Sequence, residues 1–394
     1  MRRAETGHYE ITVAGGEQVN AFVPEPLPPK PPLKLDGPMQ QALESAALSL
    51  GRLDSVAAIL PDQALFIYAY VRKEAVVSSQ IEGTQSSLSD LFLLELDEAP
   101  GAPIDDTREV LNYVAALDHG LKRLREGFPL SNRLIREIHS VLLSSGRGSS
   151  KAPGEFRSSQ NWIGGTRPGN AVFVPPPHVA VHDCMSHLER FLHADGDGLT
   201  VLLRAGLAHV QFETIHPFLD GNGRVGRLLI ALLLCHAGVL REPLLYLSLH
   251  FKTHRSTYYR LLNEVRRTGD WEAWLRFFLE GVQSTADSAV STAERLSQVF
   301  RRNESRIAAV AGRRAGSAVR LHQAFKRRPI LSIPQAARET QLSYPAASSA
   351  TNVLVENGIV REITNRVRGR LYAYDEYLDV LGEGIDGSPV ESPS

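Results

Sequence analysis

Apolar residues recur every three or four positions along most of the chain, with polar residues between them. This spacing is typical of amphipathic α-helices, because it places the apolar side chains on one face of a helix. The body of the protein is therefore predicted to be mainly α-helical. The predicted helices cover residues 38–53, 61–79, 107–125, 131–143, 179–193, 199–215, 224–237, 256–267 and 271–301.

Two segments of the first half depart from the helical spacing. Residues 162–165 and 171–174 lie on either side of a Pro-Gly-Asn turn, which predicts a β-hairpin. Residues 9–13 predict a single strand. The proline-rich residues 24–32 follow it and predict an extended arm, because proline fixes φ and has no N–H to donate.

The pattern changes again near the C-terminus. Residues 332–337 predict a short helix, and residues 346–357 predict a second helix that ends at Gly358. Two strand-like runs, 359–363 and 371–374, flank a basic turn. A helix-turn-helix followed by a two-stranded basic wing is typical of a winged-helix domain.

Length and composition narrow the class of protein. A chain of 394 residues favours two or three domains, and 43% hydrophobic with 22% charged residues is ordinary for a soluble protein. The longest apolar run, residues 228–235, is far shorter than the ~20 residues of a membrane helix, and no secretory signal is visible. Cys184 and Cys235 are too few for a disulfide framework. We therefore expect a cytoplasmic protein without membrane contact.

The charge is unevenly distributed. The whole chain has a formal net charge of -1, but residues 301–372 contain 14 Lys or Arg and 4 Asp or Glu, a net charge of +10. Residues 1–300 have a net charge of -5. This asymmetry predicts a separate C-terminal module.

The segment His-Pro-Phe-Leu-Asp-Gly-Asn-Gly-Arg at residues 216–224 is followed by an apolar run. Residues 221–226 match the GxGxxG pattern, but a dinucleotide-binding fold needs a strand directly before the glycines. Residues 202–215 have helical spacing instead, so that interpretation is rejected. No Lys follows the glycines, which also excludes a phosphate loop of the GxxxxGK[ST] type.

The residue types in this segment still favour phosphate. Residues 221–223 permit positive φ, so their backbone N–H groups can form an anion-binding nest at the start of a helix. Arg224 and Arg227 are three residues apart and share a helix face, where they suit phosphates. Asp220 offers a hard oxygen ligand for Mg²⁺, and His216 can accept a hydroxyl proton.

Residues 216–227 resemble the Fic family motif HPFx[D/E]GNGRxxR at every fixed position. Residues 154–157 and 160–165 are similar to the segment that leads into the flap hairpin of that family. The resemblance extends over residues 10–300 and implies a Fic-type helical bundle with a β-hairpin flap, followed by a winged helix-turn-helix domain. The implied domains are an N-terminal arm and inhibitory helical region at 1–105, a Fic catalytic core at 106–300, a winged-helix domain at 301–380 and a disordered tail at 381–394.

The resemblance implies transfer of AMP from ATP to a Ser, Thr or Tyr hydroxyl of a protein, with Mg²⁺ as cofactor. In this role His216 would be the general base, and Asp220 would hold Mg²⁺. Binding of the ATP phosphates would fall to Gly221, Asn222, Gly223, Arg224 and Arg227. The flap would bind the target protein by strand addition through Ile163, Gly164, Gly165, Val172, Phe173 and Val174. Tyr258 and Tyr259 are similar to adenine-contacting residues, although core packing explains them equally well.

Residues 78–83, Ser-Ser-Gln-Ile-Glu-Gly, resemble the inhibitory motif [S/T]xxxE[G/N] of the same family. The resemblance implies that Glu82, with Ser78, restrains the site by pairing with Arg227. The same glutamate could position a water that removes AMP again. The alternative function is a nucleotide-sensing, DNA-binding regulator. The basic wing leaves DNA binding and homodimer formation open, and self-modification is a further expectation.

Overall fold

The computed structural model describes residues 3, 6–59, 63–96, 101, 103–310, 312–364, 366 and 368–385. Within these residues the protein is mainly helical, which confirms the predicted fold class. The helices are α1 (Gly37–Ile59), α2 (Gln63–Ile81), α3 (Leu88–Leu94), α4 (Ile104–Arg125), α5 (Asn132–Leu142), α6 (Val181–Leu192), α7 (Val201–Ile215), α8 (Asn222–His236), α9 (Ser248–Thr253), α10 (Arg255–Thr268), α11 (Trp271–Val310), α12 (Ala315–Arg327), α13 (Ile333–Thr340), α14 (Tyr344–Glu356) and α15 (Asp375–Gly382). The strands are β1 (Gly7–Ala14), β2 (Glu17–Pro24), β3 (Ile330–Ser332), β4 (Arg361–Glu362) and β5 (Leu371–Ala373).

The chain folds into two compact units, and α1, α2, α4 and α11 each contribute residues to both. The first unit comprises Met1–Asp54, Val77–Thr84 and Arg108–Asp287, and the second comprises Ser55–Val76, Gln85–Thr107 and Ser288–Ser394. The predicted domain boundaries at 105, 300 and 380 stay predictions. Residues 386–394 of the predicted disordered tail lie outside the described residues.

Helices α7 and α8 form the centre of the first unit. Both are apolar around most of their circumference, and a helix of that kind is stable only when it is buried on all sides. Gly206 of α7 lets α11 approach closely, and the Trp274 indole N–H donates to the Gly206 carbonyl at 2.8 Å. Residues 216–221 connect the end of α7 to the start of α8.

The N-terminal segment forms a two-stranded antiparallel sheet of β1 and β2, whereas the sequence predicted a single strand at 9–13. The missed signal is the Gly15-Gly16 pair, because both residues have positive φ and a two-residue glycine turn favours a hairpin. Beyond the sheet, the Phe22 N–H donates to the Val174 carbonyl at 2.9 Å. Strand β2 therefore lies beside the predicted flap.

The predicted flap hairpin is present with less pairing than expected. Its strands meet at one bridge, between Ile163 and Phe173, and Pro168–Asn170 form a short 3₁₀ helix. Side-chain hydrogen bonds explain the shortened ladder, because the Asn170 amide oxygen accepts from the Thr166 and Arg167 backbone N–H groups. The extended strands predicted at 162–165 and 171–174 are thus reduced to this single bridge.

The C-terminal part of the second unit has the predicted winged-helix arrangement. Helices α12, α13 and α14 accompany an antiparallel sheet of order β3-β5-β4. Strand β3 was not predicted, because three residues are too few to show an alternating pattern. A capping box between Ser332 and Gln335 starts α13. Residues 365 and 367 of the predicted basic turn lie outside the described residues.

Both cysteines are free thiols. Burial raises the pKa of Cys184 to about 11 and that of Cys235 to about 12. The described helices include none with the length and apolar character needed to cross a membrane.

Candidate active site

His216 lies at the C-terminal end of α7 in a left-handed backbone conformation, with φ 49° and ψ 60°. Pro217 ends the helix here, because proline disfavours the helical conformation of the residue before it. Burial, followed by the charges of Arg157 and Arg266, lowers the pKa of His216 to about 3. The imidazole is therefore neutral at physiological pH, and Nδ1 has no hydrogen-bond partner among the described residues. A neutral imidazole can accept a proton.

The loop after His216 is closed by Asn222. Its amide oxygen accepts from the Phe218 N–H at 2.8 Å, and its amide nitrogen donates to the Phe218 carbonyl at 2.9 Å. Gly221 adopts positive φ, 77°, as the N-cap of α8. The structure thus places the Asn222 side chain inside the loop, and the backbone N–H groups at the start of α8 are suited to an anion. Phosphate binding by Gly221, Asn222 and Gly223 stays a prediction.

Arg227 and the inhibitory motif are in direct contact. The Arg227 guanidinium donates to Glu82 Oε1 at 2.7 Å, to Ser78 Oγ at 2.8 Å and to the Ser78 carbonyl at 3.0 Å. The side chain of Arg227 is 2% exposed and that of Glu82 is 32% exposed. Burial alone would raise the pKa of Glu82, but the attraction of Arg227 outweighs burial and lowers it. The carboxylate is therefore ionised and paired with the arginine. A Cβ atom at Gly223 would collide with Glu82 Oε1, so this contact depends on glycine.

Arg224 is turned away from this pair. Its Nη1 donates to Glu109 Oε2 at 2.9 Å, and both side chains are 1% exposed. Its Nη2 lies 3.5 Å from Asp220 Oδ1. Arg224 thus links α8 to α4 and to Asp220. Sequence analysis missed Glu109, because its pairing joins positions 115 residues apart and leaves no local pattern.

Asp220 is the candidate metal ligand. Its side chain is 36% exposed, and Oδ1 accepts from the Gly221 N–H at 2.6 Å. Within the described ranges no group of three or more metal-ligating side chains occurs. A single carboxylate nevertheless suits Mg²⁺ at a nucleotide site, because Mg²⁺ takes one or two carboxylates together with phosphate oxygens and water.

The two candidate adenine residues occupy different environments. Tyr258 is 2% exposed, and its hydroxyl lies 2.8 Å from His209 Nε2. His209 Nδ1 lies 3.0 Å from the Gly226 carbonyl, which can only accept, so Nδ1 donates and Nε2 accepts from Tyr258. Tyr258 is thus part of the core, whereas Tyr259 is 43% exposed. The adenine contact stays a prediction for both.

The flap presents one face to solvent and one to the core. Val172 is 71% exposed, and Phe173 is 8% exposed and packs under the Arg266 guanidinium, 3.9 Å from its ring centroid. Gly164 and Gly165 have positive φ, 67° and 74°. Ile163 pairs with Phe173, and the Val174 carbonyl accepts from β2. Target binding by this hairpin stays a prediction.

A neutral histidine, a helix N-terminus and a buried arginine on a helical scaffold are suited to an enzyme that handles phosphates. Residues 40–122 match the Fic/DOC family N-terminal domain, and residues 129–234 match the Fic/DOC family domain. The chain thus contains matches to both domains of the Fic/DOC family, as the motif predicted.

Curated relatives agree with these matches. The protein adenylyltransferase Fic of Culex quinquefasciatus is 33% identical over 211 residues, which cover 52% of this chain and 39% of that protein. The protein of the same name from Drosophila ananassae is 31% identical over 210 residues, with the same coverage. This chain thus spans about two fifths of the length of these curated relatives.

Two solved structures share the fold. A Fic family protein from Desulfovibrio desulfuricans G20 superposes with a TM-score of 0.56 at 20% identity, covering 88% of this chain and 98% of that one. A Fic domain containing signaling protein from Bacteroides thetaiotaomicron VPI-5482 superposes with a TM-score of 0.51 at 21% identity, covering 64% and 97%.

Proposed function

We propose that this chain is a protein adenylyltransferase that moves AMP from ATP to a Ser, Thr or Tyr hydroxyl of a protein. The observation that carries the proposal is the neutral His216 beside the backbone anion site at the start of α8. The relatives named protein adenylyltransferase Fic support it.

The proposed reaction needs a base and a held triphosphate. The target hydroxyl oxygen forms a bond to the α-phosphorus, the bond from that phosphorus to the oxygen bridging to the β-phosphate breaks, and pyrophosphate leaves. His216 accepts the hydroxyl proton. Positioning and charge stabilisation provide most of the catalysis in reactions of this type. Asp220 would hold Mg²⁺, which would offset the phosphate charge when bound.

Glu82 is proposed to restrain this reaction. Its carboxylate occupies the guanidinium of Arg227, which is the arginine that would otherwise bind the terminal phosphates of ATP. It also places a negative charge beside the phosphate site. ATP would therefore compete with a preformed ion pair, and the wild-type protein would transfer AMP slowly. Positioning of a water for AMP removal by the same carboxylate belongs to this proposal.

The test is label transfer from α-labelled ATP to the chain itself and to added proteins. Glu82→Gly is expected to raise incorporation on the order of tenfold, because it frees a charge-assisted donor for phosphate. His216→Ala in the Glu82→Gly chain is expected to reduce it at least 10²-fold. Glu126→Gly is the matched control, since Glu126 also follows a helix end and precedes a glycine. A Glu82→Gly protein that incorporates no label would overturn the proposed function.

The DNA-binding regulator is not favoured by the relatives. Helix α14 holds the position of a recognition helix, and its residues Tyr344–Glu356 include no Lys or Arg. DNA contact through the wing arginines, Arg366, Arg368 and Arg370, stays a prediction from the sequence. Homodimer formation, cytoplasmic location and self-modification also stay predictions.

A further inference from the structure

Arg157 is a buried arginine whose donors are directed at main-chain carbonyls. Its side chain lies on the segment before the flap, and the residue is 3% exposed. Nε donates to the His216 carbonyl at 2.9 Å, and Nη2 donates to the carbonyls of Pro176 and, at 3.5 Å, Ile215. Nη1 donates to the Ser159 carbonyl at 3.3 Å. One guanidinium therefore joins the residues around His216 to the residues that follow the flap.

The conformation of His216 gives this contact its significance. A non-glycine residue in the left-handed region is strained, so surrounding contacts must hold it there. Arg157 holds the carbonyl of His216, and its own backbone N–H donates to the Pro217 carbonyl at 2.8 Å. The main chain on both sides of the peptide bond between His216 and Pro217 is thus fixed by one residue.

The charge of Arg157 acts on the same histidine. No carboxylate in the described part of the chain forms an ion pair with Arg157, and burial lowers its pKa to about 10. It therefore remains a cation at neutral pH. An unneutralised cation beside the imidazole disfavours a second positive charge, which keeps His216 in the form that accepts a proton.

We propose that Arg157 is a positioning residue for AMP transfer. It holds His216 in the left-handed conformation and couples it to the chain that leaves the flap at Pro176. This inference rests on the proposed function. The fork shape of the guanidinium is required, because four carbonyls converge on it, whereas a lysine ammonium can follow only part of that geometry.

The test compares full-length variants in the Glu82→Gly background with α-labelled ATP and self-incorporation as the readout. Arg157→Gln is expected to lower the rate constant at saturating ATP about 10²-fold, the effect of misplacing a catalytic group by about 1 Å. The ATP concentration at half-maximal rate is expected to change less than about twofold, because the side-chain donors of Arg157 are directed at main-chain carbonyls. The rate constant of Arg157→Lys is expected to be roughly tenfold higher than that of Arg157→Gln, since lysine restores the charge but not the fork-shaped guanidinium.

Arg136→Gln is the matched control. Arg136 donates to the Gly154 carbonyl at 2.7 Å and pairs with Glu155, in the same segment but without contact to His216. It should leave the rate constant unchanged. An unchanged rate constant in Arg157→Gln would overturn the proposal. So would a variant in which only the ATP concentration at half-maximal rate increases.

The thermal unfolding midpoint of each variant distinguishes a folding defect from a loss of catalysis in a folded protein. If Arg157→Gln does not fold, Arg157→Lys decides alone: a rate equal to that of the parent overturns the proposal, and a tenfold loss at an unchanged midpoint supports it. An inactive Glu82→Gly parent would instead count against the proposed function, so the two failures are distinguishable.

Discussion

At the scale of single residues, the least expected group is the Glu213 carboxyl, one turn before His216. It is 7% exposed, and Oε1 has no hydrogen-bond partner among the described residues. Burial raises the pKa of Glu213 to about 7, although Arg227 acts in the opposite direction and Glu82 in the same one. The carboxyl group is thus half protonated near neutral pH, in contact with the site but without an assigned role.

Glu213→Gln should make stability less dependent on pH. A carboxyl whose pKa is higher in the folded state stabilises the fold fully below its unfolded pKa of about 4.5, and this contribution is lost as pH rises through about 7. The free energy of unfolding of the wild type should therefore fall relative to that of the variant between pH 5 and pH 8, by at most about 3 kcal/mol, and its thermal midpoint should fall with it. Parallel midpoints over this range, measured by calorimetry, would contradict the pKa.

The candidate residues of the loop at 216–227 could be predicted from sequence because they lie close together in the chain and match a known motif. Their partners could not. Glu109 pairs with Arg224, Arg157 holds His216, and both contacts join positions far apart in the chain. Asn222 illustrates the limit, since its residue type suits both phosphate binding and closing the loop. The structure shows the hydrogen bonds that close the loop, and phosphate binding stays a prediction.

At the scale of elements, the C-terminal end of α2 is held by three basic side chains that do not use the Glu82 carboxylate. Lys252 donates to Gln80 Oε1 at 2.7 Å, Arg255 donates to the Ile81 carbonyl at 3.0 Å, and Arg147 donates to the Glu82 carbonyl at 3.4 Å. The end of a helix carries partial negative charge and unpaired carbonyls, so cations stabilise it. These contacts fix the position from which Glu82 reaches Arg227.

Arg255→Ala should therefore weaken the restraint. We expect label incorporation to rise roughly fivefold in the wild-type background, the factor that corresponds to about 1 kcal/mol of lost hydrogen bonding. In the Glu82→Gly background the same substitution should have no effect, because the restraint is already absent. Arg260→Ala is the control, since Arg260 lies on the same helix and pairs with Glu264. Equal losses in both backgrounds would show that Arg255 serves ATP binding instead.

Helices were predictable because their apolar spacing extends over many residues. The short strands were predicted less completely. Strands β4 and β5 lie within the predicted runs 359–363 and 371–374, whereas β3, with three residues, was not predicted. The flap lost most of its predicted pairing to local hydrogen bonds of Asn170, which compete with strand pairing in a way that apolar spacing does not reveal.

At the scale of the whole chain, a buried ion pair ties the N-terminus to residues about 270 positions later. Arg3 Nη2 lies 2.8 Å from Glu272 Oε1, and the two side chains are 1% and 4% exposed. The Lys34 backbone N–H also donates to Glu272 at 2.9 Å. Burial would raise the pKa of Glu272, but Arg3 and this N–H outweigh it and lower the pKa to about 2. The N-terminal arm is thus held to the start of α11.

Glu272→Gln should destabilise the protein by about 3–5 kcal/mol at pH 7, because it leaves the Arg3 cation buried without its partner. The contribution of the native pair is present above the unfolded pKa of about 4.5 and is lost as pH falls through about 2. Asp287 lies on α11 like Glu272, but its ion pair with Arg52 is exposed. Asp287→Asn should therefore change the free energy of unfolding by less than about 1 kcal/mol. Similar unfolding midpoints for the two variants would refute the anchoring role.

The two native thiols have a practical consequence. A thiol reacts with maleimides and disulfides as the thiolate, and burial keeps Cys184 and Cys235 protonated at neutral pH. Neither thiol should react with a maleimide under conditions that label a cysteine introduced at the exposed Val172. A single fluorophore on the flap can then report, in the otherwise native chain, when ATP or a target protein arrives.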